Sequence, residues 1–232
     1  MQEYIYQRKS IRKYQPTKLT GEVLGKIEKK VTELVPLFSD IEQRIVISNQ
    51  VNGLFKIQAP QYFLFYSQKK AGYLENIGYL GQHLSLYLNS LNLGSCWLGA
   101  ASSKESYSGL EFVICMAFGE PAEPLFRSLQ EFKRKAINKI SNVDNELIRA
   151  AALAPSAFNA QDWYFYQINN EIHCYHQQPG LLLEKVLGPT MCGIDLGIAM
   201  CHLSLLIGDF SVVQQAEHPE IPGCQYFRTL KF

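Results

Sequence analysis

At 232 residues the chain can bury a sizeable core, and a net charge of +1 offers no electrostatic basis for nucleic acid or an anionic membrane surface as partner. With 47% apolar and 12% aromatic residues it is not a disordered chain. The six cysteines are scattered and form no CxxC pair, which excludes a zinc or redox-dithiol motif and reads as reduced thiols in a cytoplasmic protein.

Met1-Gln2-Glu3-Tyr4 runs straight into charged residues, so no secretory leader is expected. Within Arg8-Lys9-Ser10-Ile11-Arg12-Lys13, four cations and one hydroxyl fall in six residues. Guanidinium forks beside a hydroxyl are the donors a phosphate takes, with Ile11 and Tyr14 buried and the polar residues facing out. A solvated basic arm fits the same pattern. Thr20 to Leu34 reads as an amphipathic helix carrying Leu24, Ile27, Val31 and Leu34 on one face, ended by Pro36. Ile45–Ile47 and Tyr62–Tyr66 read as strands. Tyr73 to Leu91 is a helix apolar on most sides, with Gly78 and Gly81 leaving room for a close neighbour and Gly94 suited to a left-handed cap.

Ser95 to Ala101 reads as a small-residue turn around Trp97, and Glu111 to Gly119 as a core strand. Arg127, Lys133, Arg134, Lys135 and Lys139 then form a second basic stretch, equally suited to a solvated face or to an anion held by the first cluster. Glu146 to Leu153 has helical spacing, with Asp144 placed as its cap and Pro155 as its stop. Ala154-Pro155-Ser156-Ala157-Phe158-Asn159-Ala160-Gln161 follows as a polar corner before the strand Asp162–Tyr166. Glu171–His176 is a hairpin strand turning at Asn169-Asn170, and its two histidines fall on opposite faces, against a shared metal. Cys192 to Leu206 is a second apolar helix, with His202 a core residue, and the run Met191–Ile207 is too short to span a membrane. Cys224–Arg228 supplies an edge strand.

The order basic segment, helix, strand, glycine-bearing apolar helix occurs twice. Arg8–Lys13 is echoed by Arg134–Lys139, and Tyr79-Leu80-Gly81 by Asp195-Leu196-Gly197. This pattern predicts one domain, 1–232, of two repeats (about 1–125 and 126–232), folded as a pseudo-dimer around its two apolar helices and able to act as a monomer.

RKSIRKY, LNLGSCWLGA and APSAFNAQDW together resemble the nitroreductase family of FMN-dependent oxidoreductases, nearest its single-chain members in which one polypeptide mimics the homodimer. The resemblance implies an α+β fold of antiparallel-rich sheets flanked by helices around a central helix pair, pseudo-two-fold within one chain. It implies FMN as cofactor and NAD(P)H as co-substrate. Hydride would pass by a ping-pong route to a planar acceptor such as a nitroaromatic or quinone, without a catalytic side chain. By likeness to the family, Arg8, Lys9, Ser10 and Arg12 hold phosphate and ribityl. Pro155, Ser156, Ala157, Asn159 and Gln161 line the ring, Leu98 and Gly99 cover its other side, and Lys133-Arg134 loosely match a late basic pair. Asp162 stands where proline is common, and the first-half corner, Val35 to Asp40, lacks the Ser and Asn. One flavin site per chain is therefore expected. A non-catalytic flavin carrier or sensor of the same fold is the alternative.

Overall fold

The computed structural model describes residues 1–53, 57–177 and 181–232, with side chains throughout except at 181–189. A short helix α1 (Gln2–Ile5) leads through the basic segment to α2 (Gly21–Thr32), whose Thr20 hydroxyl accepts from the Val23 N–H. The helix stops short of Pro36, closing at Glu33. Then come β1 (Gln43–Ser48), the two-residue β2 (Asn52–Gly53), β3 (Gln61–Ser67), α3 (Tyr73–Ser90), β4 (Gly94–Leu98), the short β5 (Ala101–Ser102) and β6 (Glu111–Gly119). The second half holds α4 (Glu146–Ala152), β7 (Trp163–Ile168), β8 (Glu171–Gln177), α5 (Leu181–Ile207), β9 (Ser211–Val213) and β10 (Cys224–Lys231).

Each half makes one antiparallel four-stranded sheet, in the orders β1-β3-β6-β4 and β7-β8-β10-β9. Ranked within its own sheet, each half follows the same path of first, second, fourth and third strand, with its apolar helix between the second and third. The fold is thus α+β and pseudo-two-fold. Alternation along β3 buries both faces: Phe63 and Phe65 enter the main core under the helix pair, while Tyr62, Leu64 and Tyr66 join Leu98 in a smaller one.

The pair α3–α5 forms the centre because glycines remove the Cβ atoms that would hold the backbones apart. A Cβ on Gly78 would stand 2.1 Å from the Ile194 carbonyl oxygen, and one on Gly197 would stand 2.0 Å from that of Glu75. These contacts are reciprocal. The interval separating Pro36 from Pro155 also separates Phe38 from Ala157, Glu75 from Ile194, Gly78 from Gly197 and His83 from His202. The helix echo of Tyr79-Leu80-Gly81 with Asp195-Leu196-Gly197 is therefore one turn out of register. The geometry aligns Gly78 with Gly197, and with it His83-Leu84-Ser85-Leu86 with His202-Leu203-Ser204-Leu205.

Four further expectations are corrected. Ser95 to Leu98 is strand, not turn, because β4 pairs along β6. The left-handed residue after α3 is Asn92 (φ 58°), and Gly94 instead gives Ile11 the space a Cβ would fill at 2.4 Å. Helix α5 begins at Leu181, eleven residues before the expected start at Cys192. Its apolar stretch Thr190–Ile207 is long and apolar enough to cross a membrane, but most of it is buried against the rest of the chain. Finally, β10 is an inner strand, flanked by β8 and β9.

A candidate anion and flavin cleft

Ile11, fully buried, anchors the N-terminal basic segment, with its N–H donating to the Ser95 carbonyl at 2.9 Å. Arg127 Nε donates to the Arg8 carbonyl at 3.0 Å, and the N–H groups of Arg12 and Lys13 converge on Glu123 Oε1 at 2.8 and 3.2 Å. This folding turns Arg8 inward. It is 2% exposed, against the expectation that the polar residues here face solvent.

The corner after α4 is held from three sides. Asn145, not Asp144, caps the helix, accepting from the Ile148 N–H at 3.1 Å, while Asp144 pairs with Arg149 at 2.7 Å. After Pro155 the backbone enters the left-handed region at Phe158 (φ 50°), Asn159 (φ 59°) and Gln161 (φ 50°), conformations that cost a non-glycine residue free energy. The Ala157 N–H donates to Asp195 Oδ2 on α5 at 2.9 Å. Gln161 is wholly buried: its Oε1 accepts from the Lys135 N–H at 2.6 Å and its Nε2 donates to the Ala152 carbonyl at 2.9 Å. Its N–H donates to Ser156 Oγ at 2.9 Å. Asn159 Nδ2 donates to the Lys133 carbonyl at 2.9 Å, and its Oδ1 accepts from Arg134 Nη1.

The two segments meet across a cleft of about 410 Å³. Arg8, Lys9, Ser10 and Arg12 line one side, and Pro155, Ser156 and Asn159 the other. The remaining expected residues stand elsewhere. Ala157 and Gln161 support the corner from behind, Leu98 packs in the smaller core, and Gly99 abuts Met191 Sδ (3.2 Å from its would-be Cβ). Arg127, Arg134, Glu123 and Phe158 complete the wall. The second basic stretch thus divides: Arg127 and Arg134 reach the cleft, whereas Lys135 turns to Asp162 (3.5 Å) and Gln177 (3.3 Å). Asp162, which stands where proline is common, is 4% exposed. Phe158 lies within APSAFNAQDW but was not among the expected contacts; its exposure at the cleft rim and its left-handed backbone mark it.

Five cations face this cleft against one carboxylate, Glu123, which is occupied by two backbone N–H groups and lies 3.8 Å from Lys9. Burial, reinforced by the neighbouring guanidiniums, pushes Arg8 down to about 9 and Arg134 to about 10, so both remain charged at neutral pH while bearing a desolvation cost. The Nε atoms of both are buried without an acceptor. Unpaired buried donors with like charge beside them are what an anion would satisfy, so the donor set fits a phosphate. A larger, shallow hollow of about 590 Å³ at Ile168, Glu171, His173 and Gln215–Pro219 has no such charge, and its Glu171 is already paired with Lys231 at 2.7 Å. Among the described residues no group of three His, Cys, Asp or Glu is placed to hold a metal ion.

The family model described as "Putative TM nitroreductase" matches residues 1–207. The chain belongs to this nitroreductase family. It is therefore an oxidoreductase enzyme of that family. A nitroreductase from Thermotoga maritima, described as putative, is similar in fold along its whole length: TM-score 0.65 at 20% identity, covering 99% of this chain and 91% of that one. A nitroreductase family protein from Clostridium difficile 630 gives a TM-score of 0.50 at 16% identity, over 62% of this chain and 99% of its own. An FMN-dependent nitroreductase from Clostridium difficile R20291 gives 0.43 at 19% identity, over 53% and 89%. No curated protein matches.

Proposed function

We propose that this nitroreductase-family chain binds one FMN in the cleft between Arg8–Arg12 and Pro155–Asn159 and uses it to oxidise NAD(P)H at the expense of a small planar acceptor. The observation that carries the reading is the guanidinium cluster of buried Arg8 with half-buried Arg127 and Arg134, two of its Nε donors orphaned, facing a polar corner. Arg8, Arg127 and Arg134, with Ser10, Lys9 and Arg12 around them, would hold the phosphate. Ser156, Phe158 and Asn159 would border the ring. Ala157 and Gln161 would position that border without touching it, since their polar groups are spent on Asp195, Lys135 and Ala152. The flavin, when bound, supplies hydride chemistry between NAD(P)H and a nitroaromatic or quinone. The protein contributes charge, orientation and a wall of fixed dipoles, and the cleft needs no nucleophile or general base of its own.

We further propose that the two halves descend from a duplication and that only one composite site survived, so that the chain works as a monomer. The corner after Pro36 supports this: Phe38 fills it, edge-on to Phe227 at 6.0 Å and beneath the Arg228 guanidinium at 5.6 Å. Purified protein should be yellow or take up FMN, and should oxidise NADH or NADPH when supplied with a nitroaromatic or a quinone. A colourless protein that takes up no FMN would refute the reading. A flavoprotein without turnover on any acceptor would leave a flavin carrier.

A further inference from the structure

Three consecutive residues of the second basic stretch hold two of the corner's left-handed residues, Asn159 and Gln161. The Lys133 carbonyl accepts from Asn159 Nδ2 at 2.9 Å, and Arg134 Nη1 donates to Asn159 Oδ1. The Lys135 N–H donates to Gln161 Oε1 at 2.6 Å, and Lys135 Nζ donates to the Gln161 carbonyl at 3.1 Å. Side-chain-bearing residues persist in that conformation only where their surroundings over-determine it. The corner after Pro36 gives the contrast. None of its residues 37–42 takes a positive φ, and its anchor is the Phe38 N–H donating to Asn76 Oδ1 on α3 at 3.3 Å. The second corner repeats that anchor through Ala157 and Asp195, across the same 38-residue separation. The clasp of residues 133–135 is what the strained corner has in addition.

Of these three residues, Arg134 alone also lines the anion cleft. Its Nη1 holds Asn159, its Nη2 donates to the Leu153 carbonyl at 3.0 Å, and its Nε is buried without an acceptor. The Arg127 and Arg134 guanidiniums both lie over the Phe132 ring, 3.6 and 5.3 Å from its centre. They repel each other there, and Arg8 adds to the repulsion. An anion accepting from Arg134 Nε would offset that repulsion. A guanidinium is planar and rigid, so fixing Nε also fixes the plane in which Nη1 and Nη2 make their bonds. We propose that Arg134 is a positioning residue that couples the two sides of the cleft: an anion at its Nε tightens its hold on Asn159, and filling the phosphate side thereby strengthens binding on the ring side. The coupling is reciprocal, so a ring bound against Asn159 tightens the anion by the same factor. The ring-side effect rests on the flavin reading of the cleft, whereas the anion's effect on the corner does not.

The test uses the full chain freed of flavin, at matched ionic strength. Its two probes are inorganic phosphate and lumiflavin, the flavin ring without the ribityl phosphate. In wild type, phosphate should raise Tm and slow hydrogen exchange at the N–H groups of residues 156–161 by about 5-fold or more. In Arg134→Lys, which keeps the charge but not the fork, phosphate should still raise Tm while exchange in the corner no longer responds. Asn159→Ala, which removes the acceptor of Arg134 Nη1, should lose the same response. By fluorescence titration, phosphate should tighten lumiflavin by about 5-fold or more in wild type and in neither variant. Corner exchange indifferent to phosphate, or independent binding of the two probes, would overturn the coupling from wild type alone, whether or not a variant folds. A wild-type Tm that phosphate leaves unchanged would overturn it as well. Coupling that persists in Arg134→Lys would overturn the role of Arg134. A chain that takes phosphate but no lumiflavin refutes the flavin reading of the ring side, and hydrogen exchange then decides the coupling.

Discussion

Arg8 and Phe158 are two residues of the cleft whose placement opposes their chemistry. A guanidinium buried beside two others destabilises the ligand-free chain, and the same charge is what an anion recovers. Arg8→Met should therefore leave the melting temperature of the flavin-free protein equal or higher, while weakening FMN by about 10- to 100-fold, the loss of a charge-assisted hydrogen bond. Fluorescence titration and a thermal melt of the same preparation check both halves of that outcome. Phe158 is 74% exposed in a left-handed conformation. Phe158→Gly should stabilise the chain by about 1 kcal/mol in urea denaturation, since the strain disappears and little buried surface is lost. Arg8, Ser10, Ser156 and Asn159 were legible in the sequence because motif and side-chain chemistry coincide there. Arg127 and Arg134 were named in the second basic stretch but left between solvent and the anion, because a basic stretch looks the same whether it meets water or a cleft. Gln161 and Ala157 were expected to line the ring, yet their polar groups hold the corner from inside, which only tertiary hydrogen bonds decide.

For the elements, capping and close approach set the energetics. Asn145 supplies the side-chain cap of α4, so Asn145→Ala should cost about 1 kcal/mol in chemical denaturation. Asp144→Ala, which removes an exposed pair with Arg149, should cost less than about 0.5 kcal/mol. Gly197→Ala would place a methyl 2.0 Å from the Glu75 carbonyl, where rigid backbone must part. A loss of about 3 kcal/mol or more is expected, with Gly78→Ala similar for the reciprocal reason. Strand β4 was missed because Gly94-Ser95-Cys96 has weak strand propensity. Pairing with β6 and the seat it gives Ile11 override that weakness. Strand β10 was placed at an edge because nothing in Cys224–Arg228 announces that the three-residue β9 lies outside it.

In the whole molecule, the two halves share a plan but not their chemistry. Native mass spectrometry of the FMN-reconstituted protein should show one flavin per chain, and two would contradict the loss of the Pro36 corner to Phe38. Static light scattering on the same sample should return the mass of one chain, about 26.4 kDa.

The sequence by itself determined the class of fold, the two glycine-bearing apolar helices, the basic segment and the polar corner, because each is a local pattern of periodicity, punctuation or donor type. It also held the match that the helix contacts align, Gly78 to Leu86 against Gly197 to Leu205, although a match one turn away looked as good without those contacts. Only the tertiary structure decided which cations share the cleft, that Asp162 is buried, and that Asn76 and Asp195 do the same work with different chemistry. Those outcomes depend on which side chains leave water together, and residues far apart in the chain become neighbours only when the two helices close.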